Sequence, residues 1–251
     1  MKKVSMFLRR TIVIAAAALL FGQSARAGEP VEKTVDGITE PLLDVTLSSS
    51  VAGIISTAFF KEGDSVKQGE VILELDKQLE ELDEGRRKLV MERNKSDMES
   101  TRVLFTTGKS VSKDEMEKKD TEYQVSEVEH AMASQQLAKR SIVSPISGYI
   151  AEMILQVGNS CQPYEKLVRV VNTRQCKFVT HIEANAASTL SLGQQVKLEV
   201  GGGAKPVPVT ATIVFISPVV DPGSGLLKIK ALFENPKGTI RPGVTGKMHL
   251  N

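Results

Sequence analysis

The chain has 251 residues, 41% hydrophobic and 25% charged, a balance that excludes a disordered chain and a multi-pass membrane protein. With no Trp and only 4% aromatic residues, neither an aromatic binding groove nor a base-stacking surface is expected. The net charge of +2 hides an asymmetry: residues 1–27 hold five basic residues and no acid, and the remainder carries 27 basic against 30 acidic residues, which argues against nucleic acid as a partner.

The N-terminus reads as an export signal. A basic start (Lys2, Lys3, Arg9, Arg10) precedes the apolar run Thr11–Phe21, which is too short to span a bilayer, and Ala25-Arg26-Ala27 fits a cleavage site. Residues 28–44 form a lead-in. From Val51 to Leu75, β-branched alternation with glycine punctuation predicts short strands.

Residues 77–140 differ in kind. They contain no proline, two glycines (Gly85 and Gly108), and 13 basic against 14 acidic residues. The composition predicts two helices, roughly Lys77–Phe105 and Lys113–Lys139. The turn Thr106–Ser110 separates them, and Ser112 stands as N-cap with Glu115 at the third helical position. Leu75, Leu82, Leu89 and Val103 recur at multiples of seven, as do Val111, Val125 and Met132, with Val128 offset by three. This thin stripe predicts an antiparallel two-helix hairpin with those residues in its seam.

Strand signals return over Ile146–Val171 and continue from Cys176 to Leu250, separated by the turn clusters Gly201–Gly203, Asp221–Gly225 and Asn235–Gly238. Such spacing predicts a small β-barrel or sandwich. The two β segments flanking the helices repeat at an offset of 95: Gly53 matches Gly148, Ile55 matches Ile150, Gly63 matches Gly158, and Leu75 matches Val170. Val66 becomes Cys161 and Gly69 becomes Tyr164. A repeat of about 25 residues cannot bury its own core, so the two copies must close one together. Glycines at matched spacing predict matched turns or close backbone approach.

Val51-x-Gly53-x-Ile55, Gly63-Asp64-x-Val66-Lys67-x-Gly69-Glu70 and Ser144-Pro145-x-x-Gly148-x-Ile150 resemble the two halves of a lipoyl/biotinyl-type domain. Halves split by a helical hairpin, followed by Ile216-Ser217-Pro218 and Phe233-x-Asn235-Pro236-x-Gly238-x-Ile240-Arg241-Pro242-Gly243, are similar to the HlyD-type periplasmic adaptors, or membrane fusion proteins, of bacterial efflux pumps, including the RND type. The resemblance implies a mainly β fold: a lipoyl-like barrel-sandwich hybrid from residues 45–76 and 141–173, a coiled-coil hairpin over 77–140, and a β-barrel over 174–251. It marks Gly53, Gly63, Gly69, Gly148, Gly158, Pro242 and Gly243 as turn residues. It implies a short, non-catalytic adaptor in the periplasm, partnered by an inner-membrane transporter (RND or ABC type), a TolC-type outer-membrane channel and further copies in a ring. Arg102, Phe105 and Ser112 are the nearest match to the family's channel-docking Arg, large apolar residue and Ser, with Gly108 at the turn; Arg102 sits one residue close and Phe replaces Leu.

No catalytic or metal constellation is legible. His130, His181 and His249 are scattered, C-x-x-C and H-x-x-x-H are absent, and no cofactor is expected. Glu74-Leu75-Asp76-Lys77 resembles the setting of a lipoylated lysine, which makes a swinging-arm carrier modified at Lys77 the alternative; an exported structural protein outside any pump is a third reading. Cys161 and Cys176 are left open as a bridge or as small apolar residues.

Overall fold

The computed structural model describes residues 33–108, 110–201 and 205–250; the predicted export signal and most of the Gly201–Gly203 turn lie outside them. Strands β1 (Lys33–Ser48) and β8 (Lys166–Glu183) pair antiparallel from Gly37↔Thr180 to Ser48↔Lys166. The lower stretch of this ribbon belongs to a lipoyl-like unit and the upper stretch to a barrel. The expected lead-in 28–44 is therefore, from Lys33 on, a barrel strand, and the expected boundary at 173/174 falls inside one continuous strand.

The lipoyl-like unit is built from β2 (Gly53–Ala58), β3 (Ser65–Val66) and β4 (Val71–Leu75), then β5 (Ser141–Val143), β6 (Gly148–Met153), β7 (Ser160–Cys161) and the start of β8. Each half completes the other: β2 pairs with β7 (Gly53↔Cys161) and β3 with β6 (Val66↔Gly148). The hydrogen bonds obey the 95-residue offset. Gly63 N–H donates to the Ile150 carbonyl and Gly158 N–H to that of Ile55, both at 2.8 Å. Ser144 Oγ donates to the Ile146 carbonyl and Ser49 Oγ to that of Val51, both at 2.7 Å. The core repeats likewise, with Ile55, Ile72 and Leu75 buried beside Ile150, Leu167 and Val170.

Gly63 and Gly158 both take φ 90° and Gly69 φ 88°, in turns that a β-carbon would strain. Gly53 and Gly148 do not take positive φ; they are required by space. A β-carbon on Gly148 would lie 2.2 Å from the Val171 carbonyl oxygen, whereas on Gly53 the nearest atom, at 2.9 Å, is Nη1 of Arg140.

The barrel closes through β1, β12 (Thr245–Leu250), β9 (Gln195–Val200), β10 (Val207–Ile216), β11 (Leu226–Glu234) and back to β8. Its core centres on Phe178, Leu198, Ile213, Ile229 and Met248, all essentially inaccessible. Gly37 hides β1 from a strand pattern: a β-carbon there would meet the Phe178 ring at 2.5 Å, so the ring fills the face that a β-branched residue would otherwise occupy. Gly243 (φ 97°), after Pro242, donates its N–H to the Thr39 carbonyl at 2.6 Å and ties that turn to β1.

Between the units, the β1–β8 register shifts between Pro41 and Leu43. Buried Asn235 ties down this bulge. Its Nδ2 donates to the carbonyls of Thr173 (2.9 Å) and Ile240 (2.8 Å), its Oδ1 accepts from Ile240 N–H, and its own N–H donates to Arg174 O at 2.7 Å. Cys161 and Cys176 are free and buried in separate cores, so no bridge joins them. Burial pushes the Cys176 thiol above its ordinary pKa.

The hairpin is α1 (Gln78–Val103), a π-helical turn over Leu104–Gly108, and α2 (Lys113–Ala138). Each arm is about 40 Å long at 1.5 Å per residue. Ser112 caps α2, accepting from Glu115 N–H at 3.2 Å.

The seam differs from the expected one. Leu82, Leu89, Val103, Val125, Val128 and Met132 are all more than half exposed, and Leu75 belongs to the lipoyl-like core. The helices meet instead along a second heptad, from Glu80, Glu84 and Arg87 to Met98 on α1 and on to Phe105 in the π-helical turn, and from Met116 through Ser126, His130 and Ala133 on α2 to Arg140 just past its end. That seam is polar at its root. Glu84 Oε1 lies 2.7 Å from His130 Nε2, Arg87 pairs with Glu129, and Asn94 Nδ2 donates to the Glu122 carbonyl. Both heptads are present in the sequence, so spacing alone does not choose between them.

Arg140 fixes the arm to its base, pairing with Glu80 at 2.6 Å and donating to the Ala52 carbonyl at 2.9 Å. Replacing Arg140 by Ala is expected to cost about 1–2 kcal/mol locally. Amide exchange should accelerate in the first turn of α1 and the last of α2 while the barrel is unchanged; uniform protection in the variant would refute this anchoring.

Candidate docking site

The hairpin tip gathers the four residues singled out in the sequence, but most have structural partners. Arg102 Nη2 lies 3.3 Å from Asp120 Oδ1 across the hairpin. Phe105 is half-buried between the helix ends, and Ser112 is the N-cap of α2. Gly108 ends the π-helical turn; a β-carbon there would meet Ser110 Oγ at 2.9 Å.

Leu104 is the residue that sequence reasoning missed. Together with Val103 it is about half exposed, next to exposed Thr106, Thr107 and Gly108. The π-helical turn causes this: it widens the last turn of α1, turning Phe105 inward and leaving Leu104 outside. The threonine hydroxyls close the freed backbone carbonyls, Thr107 Oγ1 donating to Val103 O at 2.6 Å and Thr106 Oγ1 to Arg102 O at 2.9 Å. Among the described tip residues, 103–108 and 110–112 carry no charged side chain, in an arm otherwise dense in charge. Among the described residues this surface is small, apolar and hydroxyl-rich.

Lys77 does not stand on a tight turn. It immediately precedes α1, and its Nζ lies 2.8 Å from Glu74 and 3.5 Å from Glu81. The Glu74 hydrogen bond raises its pKa, stabilising the ammonium and opposing acylation. On the ribbon, Arg169 makes a two-pronged contact with Asp44 (2.9 and 2.6 Å) that holds this carboxyl below its ordinary range. Among the described residues, no group of three or more His, Cys, Asp or Glu is arranged to hold a metal, and no helix is long and apolar enough to cross a membrane.

Residues 44–173 match the family described as RND MFP, barrel-sandwich hybrid domain. An uncharacterized protein of Haemophilus influenzae is 26% identical over 221 residues, covering 85% of this chain and 55% of the relative. The multidrug resistance protein MdtE of Escherichia coli is 23% identical over 234 residues, 83% of this chain and 61% of the relative. The chain thus spans little more than half the length of these relatives. In structure it is similar to a MacA-MexA chimera containing the Pseudomonas aeruginosa MexA α-hairpin domain, with a TM-score of 0.75 and 21% identity, covering 88% of this chain and 82% of that one.

Proposed function

Since the chain belongs to the RND MFP family, with its barrel-sandwich hybrid domain split by a hairpin, we propose that it is a non-catalytic periplasmic adaptor of an efflux pump. It is exported through its N-terminal signal and links an inner-membrane transporter of the RND or ABC type to a TolC-type outer-membrane channel. Copies stand side by side in a ring. The hairpin tip meets the channel, and the barrel seats on the transporter, which supplies the energy.

The observation that carries this reading is the exposed tip, whose described residues 103–108 and 110–112 carry no charged side chain, held on a long arm that is rooted at both ends in a closed β unit. A binding surface of that kind, remote from any catalytic grouping, suits a mechanical coupler. Leu104→Asp with Gly108→Asp places two carboxylates on the tip, far from either core. The variant is expected to fold with an unchanged melting temperature, to retain the transporter on co-purification and to lose the channel. Channel recovery equal to wild type would remove the tip from the docking role, and failure of wild type to bring down a transporter or a channel would remove the adaptor reading.

A further inference from the structure

The internal two-fold of the lipoyl-like unit provides a control for each of its own positions, and one pair breaks it. Lys67–Glu70 and Gln162–Glu165 are matched four-residue turns, each closed by a 3.2 Å hydrogen bond from the fourth N–H to the first carbonyl. In both, the fourth residue's glutamate also accepts from the first residue's N–H, at 2.8 and 2.7 Å. The third residue donates across to the other half, Gly69 to Ser144 O at 2.8 Å and Tyr164 to Ser49 O at 2.6 Å. Its φ is 88° at Gly69 and 66° at Tyr164, and Tyr164 is the one non-glycine residue with positive φ among those described.

A turn with positive φ at its third residue favours glycine, and a bulky side chain there is strained. The fold itself gains nothing in return, because Tyr164 is 81% exposed. In a chain with only 4% aromatic residues, an exposed ring on a strained backbone points to an intermolecular contact. At the twin position Gly69 has open space over it. The internal two-fold puts these two positions on opposite sides of its axis, so the unit has one flank with a knob and one without. Unlike flanks associate head to tail, which is what a ring requires and a two-fold dimer does not.

We infer that the Tyr164 ring is an anchor between neighbouring copies of this chain, seated against the bare Gly69 flank of the next copy, and that it trades stability of the monomer for assembly. This rests on the ring in the reading above and names its contact.

Sedimentation and melting of four proteins test it. Tyr164→Gly is expected to melt about 2–4 °C higher than wild type, as strain is released, and to self-associate at least tenfold more weakly. Tyr164→Ala keeps the strained backbone and loses the ring, so association weakens without that rise. Tyr164→Phe keeps both properties of wild type. Polarity is read by disulfide cross-linking of exposed Gln68→Cys and Gln162→Cys chains, the native cysteines being buried. A mixture should cross-link where neither chain does so alone. Wild-type association by Tyr164→Gly, a melting temperature at or below wild type in that variant, cross-linking of one variant with itself, no cross-link in the mixture, or a wild type that stays monomeric would each overturn the inference. Transporter and channel recovery is scored separately, so a lost contact with intact recovery leaves the adaptor reading standing.

Discussion

Gly148→Ala is expected to destabilise the lipoyl-like unit by about 3 kcal/mol or more, whereas the same change at its twin Gly53 costs about 1 kcal/mol or less. The two glycines occupy equivalent positions 95 residues apart, and neither takes positive φ. Over Gly148, the new methyl would lie 2.2 Å from the Val171 carbonyl oxygen and 2.8 Å from its carbon, backbone atoms of β8 that the ladder holds in place. Relief requires parting β6 from β8. Over Gly53, the nearest atom is Nη1 at the end of the long Arg140 side chain, at 2.9 Å, which can give by a few tenths of an ångström and keep its partners, and Leu75 follows at 3.3 Å. Denaturant unfolding of the two variants measures the difference. Equal losses would show that the unit is as soft at β6–β8 as at the hairpin root.

The second large effect is expected at Asn235. Asn235→Ala strands the buried Ile240 carbonyl and N–H and removes the amide donor from the Thr173 carbonyl, for a loss of about 3 kcal/mol. Asn235→Asp separates hydrogen bonding from packing, since it keeps the shape and replaces the donor by an oxygen facing those carbonyls. Its carboxyl would be held above its unfolded pKa by burial and by the carbonyl oxygens. A raised folded pKa means stability that is present below about pH 4 and is lost as pH rises through the folded value. The Asp variant should therefore lie nearer wild type in acid and fall further behind toward neutrality, while the Ala variant shows no such added dependence. A pH-independent deficit in the Asp variant would mean that Asn235 contributes volume and not donors.

The internal repeat was legible because its constraints are local. Gly63 and Gly158 mark positive-φ turns, and Ile55, Ile72 and Leu75 keep the parity of Ile150, Leu167 and Val170. Export lies outside the described residues, and β1 was not legible, because Gly37 and Pro41 interrupt the alternation for reasons located elsewhere in the chain. One is the Phe178 ring; the other is a bulge across from residues 173–175.

The hairpin was legible as two helices with the correct cap at Ser112, but not in its facing. A leucine stripe normally marks the buried side. Here Leu82 and Leu89 face out, while Glu84, Arg87 and His130 meet inside. The apolar side chains thus lie on the outer face of the arm and the charged ones between the helices, the reverse of what a single-chain pattern rule anticipates. At the tip, the spacing that singles out Phe105 does not reveal the extra backbone turn that leaves Phe105 half-buried and Leu104 exposed beside it.

The β1–β8 ribbon has a mechanical consequence. No loose tether separates the two β units, since both strands run through the junction as a paired strut. A pull along its length loads the rungs of the ladder in parallel, a geometry that resists stretching, whereas a twist concentrates at the mismatched step near Pro41. The joint is therefore stiff in tension and compliant in torsion. Rotation of whatever grips the barrel would reach the far end of the molecule as a change of heading, with little change of reach.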